Sequence, residues 1–251
     1  MTADGVYVYA ILRAGTRLPK GVGGVGSPPA RLRMIRQGPL GAVISDAPPQ
    51  LRARRRDLLA HQDLLMRLAD DGPVLPMRFG MVAPDEATVL NQLAAAESAH
   101  AATLDRLAGH IEINVKALPA QDALATLVAE EGNVRRLREA VRRHPGYEAS
   151  LRLGEAISAA LTRRAAAAGR RMLSELEPGA RAVAAGPEVA GCALNVSFLV
   201  DHGAADSFLD GARRFAQAHR EHVELRLAGP LPCYSFVSLE ARPATVSVGG
   251  E

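Results

Sequence analysis

The chain has 251 residues, of which 48% are hydrophobic and 23% charged, a balance that excludes a disordered or fibrous protein. At roughly 100–200 residues per domain this length makes one large domain or two small ones, with core enough to fold without a metal or disulfide staple. The net charge is only +3 and 28 of the 30 basic residues are arginine, spread along the chain, so no basic tail or domain marks a nucleic-acid binder.

The longest apolar stretches, such as Ala193–Val200, fall far short of the ~18 residues that span a bilayer. The start, Met-Thr-Ala-Asp-Gly, lacks the basic onset and apolar run of a signal peptide, which points to the cytoplasm. Two cysteines, Cys192 and Cys233, stand without a CxxC or framework spacing and read as small buried thiols.

Val6–Leu12 is β-branched and aromatic and reads as a strand. The loop after it contains Gly21-Val22-Gly23-Gly24-Val25-Gly26, a literal GxGxxG. Ser27-Pro28-Pro29 follows instead of a helix, so no helix N-terminus stands ready for a pyrophosphate and the match is accidental. A hairpin follows, with Leu32, Met34 and Ile35 before the Gln37-Gly38-Pro39 turn and Ala42–Ser45 after it. From Leu51 the period becomes helical: Leu51, Leu58, Leu59, Leu65, Met66 and Ala69 share about a third of a wheel. The densest basic run, Arg52–Arg56, is the solvated start of that helix. Gln62 falls near the centre of its apolar face and His61 on the flank, so Gln62 is expected to be a structural polar residue bonded to backbone.

Asp71-Gly72-Pro73 stops this helix, and Val74-Leu75-Pro76-Met77-Arg78-Phe79-Gly80 follows, apolar but for one arginine. After Pro84-Asp85-Glu86 a second helical stripe runs through Val89, Leu93, Ala96, His100, Leu104 and Leu107, with His100 as a core residue. Ile111, Ile113, Val115 and Ala117 then alternate with Glu112, Asn114 and Lys116, a half-buried strand. Asp122–Arg143 is polar and helix-prone. A longer helix runs from Leu151 to Leu176 and stops at Pro178-Gly179, a short strand follows over Arg181–Ala185, and a further strand alternates through Leu194, Val196, Phe198 and Val200. Phe208, Ala212, Phe215, Ala216 and His219 lie on one helical face, and Val223, Leu225 and Leu227 make the last strand.

The order β-α-β-β-α-β predicts a ferredoxin-like sheet with helices on one face. Glu112, Asn114, Lys116, Asn195, Ser197, His222, Glu224 and Arg226 would point to the other face, toward solvent or a docked partner. Every spacing-based enzyme or metal signal is missing: no GxSxG, P-loop, HExxH or EF-hand. His219 and His222 lack a third nearby ligand. The ending, Gly229-Pro230-Leu231-Pro232-Cys233-Tyr234-Ser235-Phe236-Val237, should leave the sheet at its prolines and present Tyr234 and Phe236 on one side, as a tail strapped over a domain junction or facing a partner.

The LPMRFG stretch ending at Gly80, the His61-Gln62 pair before it, Glu112 to Lys116, Leu194 to Asp201 and the GP-x-P-x-YSFV ending together resemble the GvpL/GvpF family of gas vesicle proteins over almost the whole chain. Leu231 stands where the family usually has an aromatic residue, and the Gly21–Gly26 loop is not a family feature. The resemblance implies an α+β protein: an N-terminal α+β domain, residues 1–109, then a ferredoxin-like domain with an extra helix, residues 110–228, and a tail, residues 229–251, packed at the junction. It implies a non-enzymatic accessory protein of gas vesicle assembly, without catalytic residues, cofactor or metal. The implied partners are the major shell protein, small and very hydrophobic, and other accessory proteins, with no nucleic acid or lipid membrane; the implied place is the cytoplasm, at the gas vesicle. Met77, Arg78, Phe79, Tyr234 and Phe236 are then the partner-binding candidates. Arg78 has a second reading as an internal strut bonding the carbonyls that the prolines leave unpaired, and of the two the strut is preferred because an arginine among apolar residues needs fixed acceptors. The competing function is a regulatory small-ligand-binding module on a ferredoxin-like fold.

Overall fold

The computed structural model describes residues 5–120 and 123–237, which divide into two compact units, one of residues 5–112 with 230–237 and one of residues 113–229. In the first unit the strand run Val6–Arg13 (β1) pairs antiparallel with Leu40–Asp46 (β3), which pairs antiparallel with Arg33–Gln37 (β2) to close the expected hairpin. The other edge of β1 takes two short strands, Leu75–Pro76 (β4) and Val82–Ala83 (β5).

Alternation along β1 builds two cores, one on each face of this sheet. Val6, Val8 and Ile11 join Leu40, Ala42, Ile44, Leu75 and Ala83 against Val89 and Leu93 of Glu86–Ala95 (α2) and Leu104 of Glu97–Leu107 (α3). Tyr7, Tyr9 and Leu12 join Val43 and Val74 against Leu64, Leu65 and Leu68 of Arg55–Asp70 (α1). The unit is a helix/sheet/helix sandwich because β1 is apolar from Val6 to Leu12 and both its faces need cover. The single stripe from Val89 to Leu107 is two helices: the backbone breaks at Ala96 (φ −114°, ψ 19°), and Asp85 caps the first by accepting from the Thr88 N–H at 2.7 Å.

The α1 face differs from the wheel drawn on its leucines. Its buried residues are Asp57, His61, Leu64, Leu65 and Leu68, while Leu58 and Leu59 are exposed and Gln62 points to solvent. The structural polar residue is therefore His61, not Gln62. A face drawn through the apolar letters alone misses this because two polar side chains, Asp57 and His61, find partners inside. Asp57 accepts from the Gly26 N–H, and the glycine loop itself is a docked structural element: Val25 is buried and its N–H donates to the Tyr9 hydroxyl at 2.8 Å.

In the second unit four strands, His110–Pro119 (β6), Ala182–Ala185 (β7), Leu194–Asp201 (β8) and Val223–Leu231 (β9), lie in the order β7-β8-β6-β9, the ferredoxin-like order for the expected β-α-β-β-α-β chain. Three helices fill the first crossover: Leu124–Glu130 (α4), Gly132–Arg143 (α5) and the 30-residue Tyr147–Leu176 (α6). The second crossover is Ala205–Ala218 (α7), whose Phe208 meets Phe198 of β8 at 5.1 Å between ring centres. The strand β9 runs on through Pro230 rather than ending there. It is an edge strand, where a missing N–H costs no ladder bond.

The polar face of this sheet departs from a solvated surface at two positions. Glu112 and Ser197 are buried, and Asn114 donates to the side chains of Asn195 (2.9 Å) and Ser197 (3.1 Å) across β6 and β8. Asn114, Lys116, Asn195, His222 and Glu224 are half-buried, and Arg226 is exposed.

Candidate functional site: the Arg78 loop and its cleft

The LPMRFG stretch forms a loop that leaves β1 and returns to it. On the way out the Met77 N–H donates to the Tyr9 carbonyl at 2.9 Å; on the way back the Met81 carbonyl accepts from the Val8 N–H at 2.9 Å. Between these anchors the chain turns, closed by the Met81 N–H to the Arg78 carbonyl at 3.3 Å. Gly80 is the third residue of that turn with φ +90°, a conformation that side chains rarely tolerate.

Under the turn lies a closed polar circuit. The Gly80 N–H donates to the Tyr7 hydroxyl at 3.0 Å, that hydroxyl lies 3.0 Å from His61 Nδ1, and His61 Nε2 lies 3.0 Å from the Met77 carbonyl. The carbonyl can only accept, so Nε2 carries the proton and Nδ1 accepts from Tyr7; every group is satisfied by a neutral imidazole. Burial holds the His61 pKa below its ordinary value, with the Met77 carbonyl opposing, and burial likewise raises that of Tyr7. The Phe79 ring packs inward, edge-on to Tyr7 and His61 at 6.0 and 5.7 Å.

With Phe79 turned in, Arg78 is left exposed, and among the described residues its guanidinium has no hydrogen bond or ion pair. The strut expectation for Arg78 is thereby corrected: His61 fills that role from the neighbouring helix, and holds the Met77 carbonyl directly. Met77 is half-buried and lines a cleft of about 280 Å³ together with Val8, Ile11, Met81, Val82, Val89 and His100. Met81 (46%) and Val82 (39%) are among the most exposed large apolar residues of this unit. His100, expected in the core, is half-buried at the cleft wall, where partial burial lowers its pKa.

The tail aromatics do not face outward as a pair. Residues 234–236 form a 3₁₀ turn in which Phe236 is buried and its carbonyl accepts from Arg106 at 2.8 Å, so Phe236 is a core residue rather than a partner contact. Tyr234 is half-buried against the Tyr7/Tyr9 core, and burial, then the charge of Glu112, pushes its phenol up to about 12. What pins the tail is Glu112, which takes the Ser235 hydroxyl at 2.7 Å and the Ser235 N–H at 2.8 Å on its two oxygens. No local pattern marks this clamp beyond an acidic residue in a strand of apolar alternation. Among the described residues no group of His, Cys, Asp and Glu could hold a metal ion, and no helix is long and apolar enough to cross a membrane.

Two α+β units, the first a helix/sheet/helix sandwich bearing an arginine-tipped apolar loop and the second ferredoxin-like, define a known architecture. The crystal structure of the gas vesicle protein GvpF from Anabaena superposes with a TM-score of 0.73 over 94% of this chain and 99% of that one at 22% identity, which shows a shared fold. Residues 5–238 match the family model described as gas vesicle synthesis protein GvpL/GvpF, and the chain belongs to that family. It is 41% identical to gas vesicle protein F of a Streptomyces species, over 92% of this chain and 98% of the relative, and 31% identical to gas vesicle protein L of the same organism, over 93% and 92%. The protein is a gas vesicle accessory protein.

Proposed function

We propose that this protein escorts the small hydrophobic shell protein during gas vesicle assembly, alone or with other accessory proteins, and that the Arg78 loop with its adjoining cleft is where the shell protein docks. A subunit whose finished surface faces gas carries apolar area that aggregates in water unless another surface covers it. The observation that carries the reading is the free Arg78 beside exposed Met81 and Val82 over the cleft, on a loop held rigid from beneath by His61 and Tyr7. Exposed apolar surface with an uncommitted arginine on the same loop is the composition of a docking site, and preorganisation lowers the entropy cost of ordering the loop on binding. In this reading the protein works in the cytoplasm at the vesicle, without catalysis, cofactor, nucleic acid or lipid.

Co-expression of the shell protein with the wild-type chain, and with a Met81→Asp/Val82→Asp double variant, tests the proposal. Wild type should retain shell subunits on affinity capture and raise their soluble fraction, and the charged double variant should do neither while remaining folded. Equal retention by both removes the cleft from the account; no retention by either removes the escort role.

A further inference from the structure

The helical hairpin of the second unit carries a charge pattern that the docking loop does not use. Between Gly132 and Arg152 stand six arginines against two glutamates, an excess of four positive charges in a chain whose total is +3, so the rest of the protein is close to neutral. All six arginines are exposed. Some arginines elsewhere are committed to bonds, Arg33 to Asp46 and Glu86, Arg106 to the Phe236 carbonyl and Arg164 to Glu130 and Glu131, while in the hairpin Arg135 reaches only the Ala129 carbonyl at 3.3 Å. On α5 one glutamate, Glu139, serves both Arg142 (3.4 Å) and Arg143 (3.2 Å), and Arg138 has no partner among the described residues. Arg135, Arg138 and Arg142 recur at i, i+3 and i+7 and form one stripe roughly 10 Å long at 1.5 Å per residue. At the hairpin tip, four residues past Arg143, Tyr147 is 86% exposed, with Leu151 one turn further on at 48%.

We infer that this stripe is a docking surface for an acidic helix of a protein partner, with Tyr147 as its apolar anchor. Charge complementarity sets the partner's chemistry: carboxylates one turn apart on a facing helix match the spacing of the three arginines. Arg and Tyr are the residue types enriched at protein interfaces. A lipid surface fits poorly, because the apolar face of α5 is already spent: Val134 is buried with Leu127 and Ala160 of the neighbouring helices, and Leu137 and Val141 are half-buried along the same face. Nucleic acid fits poorly too, because Glu139 and Glu148 interrupt the positive field and a single exposed aromatic offers no stacking platform. The inference does not depend on the Arg78 loop, which lies in the other unit.

The test places a photo-crosslinking phenylalanine analogue at residue 147 of the full chain in its native cells, with mass spectrometry of the adducts. The expected result is a crosslink to a helix bearing carboxylates one turn apart, lost at least about tenfold in an R135E/R138E/R142E variant that melts like wild type, and recovered when those carboxylates are changed to arginine. Adducts to RNA or lipid, a protein site without carboxylates, a yield unchanged by the triple reversal, or no adduct at all would overturn the inference.

Discussion

Replacing His61 by Phe removes both hydrogen bonds of the imidazole while keeping a ring of similar shape in the pocket between Tyr7, Tyr9 and Phe79. The fully buried Tyr7 hydroxyl then loses its acceptor and the half-buried Met77 carbonyl its side-chain donor. At about 1–3 kcal/mol for each unsatisfied buried group, with Met77 at the low end, the loss should be about 2–4 kcal/mol. Urea unfolding followed by tyrosine near-ultraviolet circular dichroism reads this directly, because three of the four tyrosines, Tyr7, Tyr9 and Tyr234, belong to this unit and the chain has no tryptophan. A Tyr7→Phe/His61→Phe double variant should lose less than the sum of the single losses, since neither partner then strands the other; the Gly80 N–H, orphaned with the Tyr7 hydroxyl, keeps the double from being neutral. A single-variant loss under about 0.5 kcal/mol, or strict additivity in the cycle, would refute the circuit as the loop's support.

The same histidine makes stability depend on pH. Its folded pKa lies below the unfolded value near 6.5, so its contribution is complete above that pH and is lost as pH falls through the folded pKa; the His61→Phe protein should lack this component of the urea-midpoint profile. Gly24→Ala should destabilise by about 1–3 kcal/mol, because a Cβ there would sit 2.3 Å from the Tyr9 hydroxyl and 3.2 Å from the Ala30 carbonyl oxygen; a wild-type melting curve would contradict that packing. Glu112→Ala should free the tail at Ser235 and speed limited proteolysis around residues 230–237, where a charge-assisted clamp is worth about 1.5–3 kcal/mol; an unchanged cleavage rate would contradict the clamp. Burial pushes the Cys233 thiol up to about 12, so thiol reagents should modify Cys192 first and reach Cys233 only on unfolding.

Most elements could be read from the letters because their patterns are one-dimensional. The apolar run of β1, the hairpin around Gly38 and the alternation in β6 and β8 fix strands through period two, and the order of elements fixes the ferredoxin-like sheet. What could not be read depends on partners distant in sequence. His61 is interior because Tyr7 lies 54 positions away with a hydroxyl to match it, and Gln62, one residue on, is 100° around the helix and therefore outside. Phe236 turned inward because Arg106, 130 positions earlier, fixes its carbonyl. Arg78 reads as a strut in the sequence because its neighbours are apolar. The turn geometry at Gly80 sends Phe79 in and leaves Arg78 out, and no local pattern encodes that choice.

In the proposed role the Arg78 side chain is presented to a partner rather than built into the fold. Arg78→Ala, measured side by side for thermal melting and for capture of co-expressed shell protein, separates the two. A melting temperature equal to wild type with capture reduced severalfold is the expected outcome. A marked fall in melting temperature, or undiminished capture by a stable variant, would contradict it.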